Sequence, residues 1–408
     1  TGSAQVVVQV LGLISGILII RLLPTTEFAL YTLANSMLAT TVVLADSGIG
    51  AGILASGGKV WQSKDDLGSV VATGISLRRR FALLTLIIAL PLLLYLLIRH
   101  QASWPMAILI ILSLIPAFYA ALSDTLYEIP LKLNQDITAL QKNQLQANIS
   151  RFLLLVPALY FIPFTFVAMI CTGLTRLWAN IRLRKRAALF ADLNRTDNHE
   201  VRKDIVAMLK RTMPSTIYYC ASSQITIWLI SIFGNTTAIA QVGALERIAG
   251  ALSLVSVVFS TLIIPRFARL PQDSKLLMLR FSQVLCVLLL VSAAICVGCY
   301  LFSDQVLYVL GSQYSNLNTA LFLVTVAGCL KLMAGITNYL SVARGWAIAP
   351  VLHISISVIV QVALICYMDL TLLSNVLIIG IINGAVALLL YAGYFFYRGY
   401  KSKGLAYG

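Results

Sequence analysis

The chain has 408 residues, of which 59% are hydrophobic and 11% charged, and its mean hydropathy is +0.90. A soluble domain carries about 25% charged residues, so a soluble enzyme is excluded, and one anchor of about 20 residues could not shift the average of the whole chain. Lys and Arg number 30 against 15 Asp and Glu, a formal +15, which in so apolar a chain points to basic cytoplasmic loops and not to nucleic acid.

The apolar residues come in long runs without alternation, which predicts an all-α polytopic membrane protein and not a barrel. Twelve runs approach the roughly 20 residues that cross the hydrocarbon layer. They lie near 4–23, 28–55, 81–98, 104–123, 146–162, 164–181, 213–233, 238–264, 281–302, 316–342, 349–368 and 372–397. The pair around Pro163 also reads as one long span. The polar stretch 124–147, with Asp124, Glu128, Lys132, Asp136 and Lys142, reads as a loop or a helix extension.

With the N-terminus inside, the cytoplasmic segments are 56–80, 124–145, 182–212, 265–280, 343–348 and 398–408. Every Lys and Arg outside the spans falls on those segments except Arg99. This bias places both termini in the cytoplasm. The chain opens at Thr1 without Met and turns apolar at once, so a short native N-terminus is expected to precede it. No cleavable signal peptide is evident. Cys296 and Cys299 form a C-x-x-C inside an apolar span with no second pair, so the cysteines read as small buried residues.

The longest inner segment divides the chain into an N-terminal lobe (1–181, helices 1–6), a basic cytoplasmic linker (182–212) and a C-terminal lobe (213–408, helices 7–12). The linker ends in Val206-Ala-Met-Leu-Lys-Arg, which reads as an amphipathic helix on the inner leaflet. An offset of 211 residues lays Thr25-Thr26-Glu27 on Thr236-Thr237-Ala238, each at the opening of the second helix of its half. Six helices per half is an even number, so two pseudo-symmetric bundles would share orientation around a central cavity, with the substrate path between them.

Charged residues at a helix centre cost about 2.5–3.5 kcal/mol. Arg21, Arg151 and Arg176 read either as snorkelling near helix ends or as facing a cavity. Arg247 and Lys331 lie deeper in their spans and read as cavity-facing. Polar stripes at helical spacing carry Tyr31, Asn35 and Asp46 in helix 2, Ser215, Tyr219, Ser222 and Thr226 in helix 7, and Lys331, Gly335 and Asn338 in helix 10. His353, Ser357 and Gln361 in helix 11 read as helix–helix hydrogen bonding. Gly48 and Gly52 read as a close helix contact beside Asp46. A net cationic cavity suits an anionic substrate, with Arg21, Arg247, Lys331 and Arg151 as its binding groups and Tyr31, Asn35, Tyr219, Ser222 and Asn338 as its polar or sugar contacts. Asp46 and Glu246, each in the second helix of its half, are the candidates for coupling transport to an ion.

Arg21-Leu-Leu-Pro-Thr-Thr-Glu-Phe-Ala-Leu-Tyr31 with Ala45-Asp-Ser-Gly-Ile-Gly50 resembles the first two helices of Wzx-type oligosaccharide flippases, members of the multidrug/oligosaccharidyl-lipid/polysaccharide exporter superfamily. Leu209-Lys-Arg-Thr-Met-Pro214 resembles the start of their helix 7, Val242-Gly-Ala-Leu-Glu-Arg-Ile248 with Ile264-Pro-Arg-Phe-Ala-Arg269 their helix 8, and Leu310-Gly-Ser-Gln-Tyr314 the turn before their helix 10. The resemblance implies a flippase moving an undecaprenyl-diphosphate-linked oligosaccharide, an O-antigen or capsule repeat unit, across a bacterial inner membrane by alternating access. It implies lipids, a polymerase and glycosyltransferases of the same pathway as partners, no cofactor, and at most H+ or Na+ as a coupling ion. Many relatives carry an Asp early in helix 7 where this chain has Gln224-Ile-Thr226, so the resemblance does not carry ion coupling through that position.

The competing readings are a cation-coupled small-molecule exporter on the same fold and a membrane polysaccharide polymerase or glycosyltransferase. The first expects an acidic or apolar cavity. The second needs catalytic groups on an extended outer loop, and the outer loops offer little beyond Glu27, Arg99, His100, Asp304 and Asp369.

Overall fold

The computed structural model describes residues 2–271, 273–344, 346 and 348–405, and among them there is helix and turn but no strand. The long helices are α1 (Gly2–Leu22), α2 (Thr25–Asp46), α3 (Ile49–Val60), α4 (Lys64–Arg99), α5 (Trp104–Leu133), α6 (Ile137–Phe161), α7 (Thr165–Ala187) and α8 (His199–Phe233). There follow α9 (Thr236–Ala249), the short α10 (Ser253–Val258) and α11 (Ile264–Ala268), then α12 (Ser274–Leu301), α13 (Ser303–Leu310), α14 (Asn318–Ala343), α15 (Pro350–Tyr367) and α16 (Leu373–Leu405). Ten helical stretches among the described residues are long and apolar enough to cross a membrane. Helices α6 and α7 occupy the fifth and sixth spans read from the sequence. They have the length, 25 and 23 residues, but carry Lys142, Arg151 and Arg176 within it. The protein is a multi-pass membrane protein.

Local chemistry sets the boundaries. Ser63 and Ser103 accept from the backbone N–H of Asp66 and Met106, capping α4 and α5. Asp136 accepts from Ala139 N–H at the start of α6. The two spans around Pro163 are separate, because proline has no N–H and disfavours a helical residue before it. Glu27 accepts from Thr165 N–H at 2.7 Å and so caps α7 from the first turn of α2. The polar stretch 124–147 is helical. It extends α5 to Leu133 and then forms the first turns of α6.

The single span read at 28–55 is broken. Ser47 (φ 41°) and Gly48 (φ 93°) take left-handed conformations that end α2 and redirect the chain into α3. A Cβ on Gly48 would lie 2.3 Å from Thr212 Oγ1 of α8, and one on Gly52 would lie 3.3 Å from Ile205 Cγ2. The small-residue pair is thus a close helix contact, made with α8.

The chain forms two compact units, Ser3–Ser231 with Asn235–Ala240, and Ile232–Gly234 with Gln241–Gly408. In unit 1, α5 packs on α4 and α7, α6 packs on α7, and α2 packs on α4, α5 and α7. In unit 2, α14 packs on α12 and α16, and α15 packs on α16. The pairing of helices 3–4, 4–6 and 5–6 of unit 1 therefore recurs as 9–10, 10–12 and 11–12 in unit 2. The 211-residue offset also relates two glycines at close helix contacts. Gly173 of α7 lies against Pro116 and Ala117 of α5, a Cβ there meeting Ala117 N at 3.1 Å. Gly384 of α16 lies against Ala327, Leu330 and Lys331 of α14, a Cβ there meeting Leu330 Cβ at 3.0 Å. The second helix of each half is also irregular at one repeat position, since the Ser47–Gly48 break answers to the π-helical turn that opens at Phe259.

Val206–Arg211, read as a surface helix, are early turns of α8. Ile205 and Leu209 bury with Ile49, Ile53, Val70, Val71 and Leu183 in the core of unit 1. Unit 2 has its own core of Phe259, Phe267, Leu277, Phe281, Met333, Ile336 and Phe395, with the Phe281 and Phe395 rings stacked at 3.8 Å.

Candidate functional site

The polar groups embedded in unit 1 are organised by one turn of α5. Arg78 of α4, expected in a cytoplasmic segment, is 2% exposed. It donates to Leu122 O at 3.0 Å, to Thr125 Oγ1 at 2.7 Å, and to Asp46 of α2, with which it forms an ion pair. Asp46 Oδ1 also accepts from Gly50 N–H at 3.0 Å. On the other side of the same α5 turn, Asp124 pairs with Arg176 of α7 at 2.8 Å and accepts from Asn180 Nδ2 at 2.5 Å. Asn180 Nδ2 also donates to Ser123 Oγ and Ala120 O. Burying either charge alone is costly, and pairing offsets part of that cost, although Arg78 Nε is buried with no hydrogen-bond partner among the described residues. Arg176 is thereby a partner of Asp124 and not a snorkelling end.

Two of the candidate sites take a form the sequence did not show. Asp46 is held by Arg78, from 32 residues on in the chain. Tyr31, expected among the sugar contacts, is 2% exposed and stacks with Phe28 at 6.0 Å, so it is a core residue. Asn35 is half-buried one residue from Ser36, whose hydroxyl donates to Gln224 Oε1 of α8 at 2.6 Å. That contact opens an antiparallel seam between α2 and α8, continued by Cys220 Sγ to Thr40 O at 3.6 Å and Thr212 Oγ1 to Ser47 O at 3.1 Å. On α8, Tyr219 is exposed, and Ser222 donates only to its own helix at Tyr219 O. Arg21 is exposed near the end of α1. Arg151 of α6 is half-buried, and its Nε is buried with no hydrogen-bond partner among the described residues.

In unit 2, Arg247 of α9 and Lys331 of α14 lie within electrostatic range of Glu246 of α9. Lys331 is exposed although it sits mid-helix, and Asn338, two turns on, is half-buried. The Asp46–Arg78 and Asp124–Arg176 pairs have no charged counterpart at the repeat positions, which hold Val257, Leu289, Gly335 and Ala387. His353 Nε2 and Tyr391 Oη are 3.1 Å apart, an α15–α16 contact of the packing kind expected for helix 11. No group of three or more His, Cys, Asp or Glu among the described residues could hold a metal ion.

Outside the spans, His100 caps α4. It is 3% exposed, with Nε2 2.9 Å from Ser231 O and Nδ1 3.2 Å from Thr236 Oγ1. Burial holds its imidazole below the ordinary histidine range, and Arg99 adds to that. The neutral tautomer that donates from Nε2 satisfies both partners.

The whole chain superposes on solved transporters. An inward-facing multidrug resistance MATE family transporter of the MOP superfamily superposes with TM-score 0.75, covering 97% of this chain and 96% of that one. The fold is MATE-like. An outward-facing MATE family transporter of the MOP superfamily superposes at TM-score 0.60, covering 98% and 94%, and MATE in complex with MaD3S at 0.60, covering 99% and 94%. Each is 16% identical to this chain. No protein-family model and no curated protein matches the sequence.

The charges that matter most in unit 1 were hidden in the sequence for a local reason. Arg78 stands in an Arg-Arg-Arg run, where only Arg79 and Arg80 are exposed. The helical period turns the first of the three inward, and that spacing is the signal that could have found it.

Proposed function

We propose that this MATE-like protein is an alternating-access transporter of the bacterial inner membrane, and that its cargo is an anionic lipid-linked oligosaccharide, a polyprenyl diphosphate carrying a sugar repeat unit. The observation that carries the reading is one embedded basic residue in each unit, Arg151 and Lys331, that stands outside the Asp46–Arg78 and Asp124–Arg176 pairs. Asp46 and Asp124 are consumed by Arg78 and Arg176. Arg151 keeps a buried Nε with no hydrogen-bond partner among the described residues, and Lys331 stands exposed in mid-helix within electrostatic range of Glu246. A diphosphate entering a low-dielectric region needs such donors. Arg21, Arg151, Arg247 and Lys331 are the proposed phosphate contacts, and Tyr219, Ser222, Asn35 and Asn338 the proposed sugar contacts.

The second reading is a small-molecule exporter, favoured by the fold shared with multidrug resistance transporters. One assay separates the two. The purified protein in liposomes is offered a fluorescent polyprenyl-diphosphate oligosaccharide in one arm and a cationic dye in the other. We expect transfer of the lipid and none of the dye. Ala variants of Arg151 and Lys331 should lower the transfer rate at unchanged melting temperature. Dye transport without lipid transfer would overturn the flippase reading.

A further inference from the structure

Basic residues flank α5 at the end of unit 1 that the basic-residue bias assigns to the cytoplasm. Arg79 of α4 and Arg184 of α7 both lie within electrostatic range of the Tyr127 phenol of α5, the helix on which α4 and α7 pack. The Tyr127 ring is buried in the unit 1 core beside Leu183, whereas both guanidinium-bearing residues are exposed. No acid pairs with either Arg among the described residues. Asp124, also within electrostatic range of Tyr127, is taken by Arg176 and Asn180.

The surroundings set the depth of this group. Toward the outer side from Arg79, α4 exposes Leu83, Leu84, Ile87 and Ile88, each more than 60% exposed. On α5 and α7, Ile108, Leu112, Ile115, Leu174 and Ile181 are exposed in the same way. A broad apolar face open to the surroundings on three adjoining helices is a lipid face. At its lower edge Arg182 lies 4.5 Å over the Trp178 ring, an aromatic–cation pair of the kind found at the headgroup level. Arg79, Tyr127 and Arg184 therefore stand where the phosphates of the inner leaflet lie, below a surface fitted to acyl chains.

We infer that Arg79, Arg184 and the Tyr127 hydroxyl form a binding site for the phosphate of an anionic phospholipid of the inner leaflet. Two guanidiniums from different helices can fork onto the phosphate oxygens while the phenol donates a third hydrogen bond. The acyl chains would cover the exposed leucines and isoleucines of α4 and α5. The site belongs to unit 1 alone. It rests on membrane embedding and stands whichever cargo the protein carries.

The test is lipid binding by the full-length chain in detergent, read by native mass spectrometry with phosphatidylglycerol and phosphatidylcholine as probes. Wild type should retain phosphatidylglycerol in preference to phosphatidylcholine. The pair Arg79→Gln/Arg184→Gln should weaken phosphatidylglycerol by about 30-fold, from the usual contribution of two basic side chains at an anionic surface. Lys64→Gln/Lys203→Gln removes the same charge from exposed positions elsewhere in unit 1 and should leave binding unchanged. Equal loss in both pairs, or loss in neither, would overturn the site. Displacement of the lipid by inorganic phosphate at equal concentration would show a free-anion site and overturn the lipid assignment. If the Gln pair lowers the melting temperature, Arg79→Lys and Arg184→Lys decide. Each should weaken the lipid several-fold by losing the planar fork, and unchanged affinity in both would refute the site.

Discussion

Arg78 and Asp46 divide their burial unequally. The Arg78 side chain is 3% exposed and that of Asp46 37%. Removing Asp46 strands a buried guanidinium, and removing Arg78 leaves a carboxylate that water can still reach. Asp46→Ala should cost about 3–5 kcal/mol of stability, and Arg78→Ala less on the electrostatic side. An apolar double variant, Asp46→Leu/Arg78→Met, should recover much of the loss, because a buried ion pair can be exchanged for apolar packing at little cost. Thermal unfolding in detergent reads this. Recovery of stability without recovery of transport would separate a coupling role for Asp46 from its structural one. His100 carries a pH dependence of definite sign. Its folded-state pKa is depressed by burial, so the unfolded state binds the proton more readily. The contact with Ser231 and Thr236 contributes fully above the unfolded value, near 6.5, and is weakened as pH falls below it. Hydrogen exchange at the α8–α9 turn should speed up on acidification, and His100→Gln should flatten that response.

At the scale of elements, Gly173 and Gly384 are points 211 residues apart where an added Cβ would lie only 3.1 and 3.0 Å from the neighbouring helix. The physical cause is van der Waals packing of helices in lipid, which favours small residues at contacts. Gly173→Val and Gly384→Val should each destabilise by about 1–3 kcal/mol through overpacking, with the larger effect at Gly173, where the nearest atom, 3.1 Å from an added Cβ, is the backbone N of Ala117, whereas at Gly384 the backbone atoms stand back at 3.5 Å or more. Melting curves of the two variants check the order. Gly48 is constrained twice, by φ 93° and by Thr212. Thr212→Ala should therefore rescue only part of the loss in Gly48→Ala. The π-helical turn at Phe259 and the break at Ser47–Gly48 show that irregularity, too, belongs to the repeat. Periodicity does not reveal such breaks, because both stretches remain apolar on either side of them.

For the whole molecule, the basic-residue bias predicts cytoplasmic termini. Single cysteines introduced at Gln101 and Thr371 in a cysteine-free background should label with a membrane-impermeant maleimide from outside. One at Asn194 should label only after permeabilisation. The reverse pattern would overturn the orientation. The twelve-span reading and the 211-residue repeat were legible in sequence because bilayer thickness dictates apolar length and because duplicated helices kept their order. Arg79, Arg80 and Lys185, read as loop charge, are exposed, because charges outside the hydrocarbon follow a simple bias. Arg78 was not, since its neutralisation depends on Asp46 and on the carbonyl of Leu122, from helices distant in the chain.

The sequence by itself determined the membrane class, the span order and the internal duplication, since each follows from hydrophobicity along the chain and from length alone. Tertiary structure alone decided the partners of the embedded charges. It buried Tyr31 against Phe28, joined Asp124 to Arg176 and set α8, the first helix of the second half, along α2 in unit 1. The reason is that a polar group in a low-dielectric interior is governed by what stands within about 3 Å of it, and those neighbours come from helices that the linear chain keeps far apart.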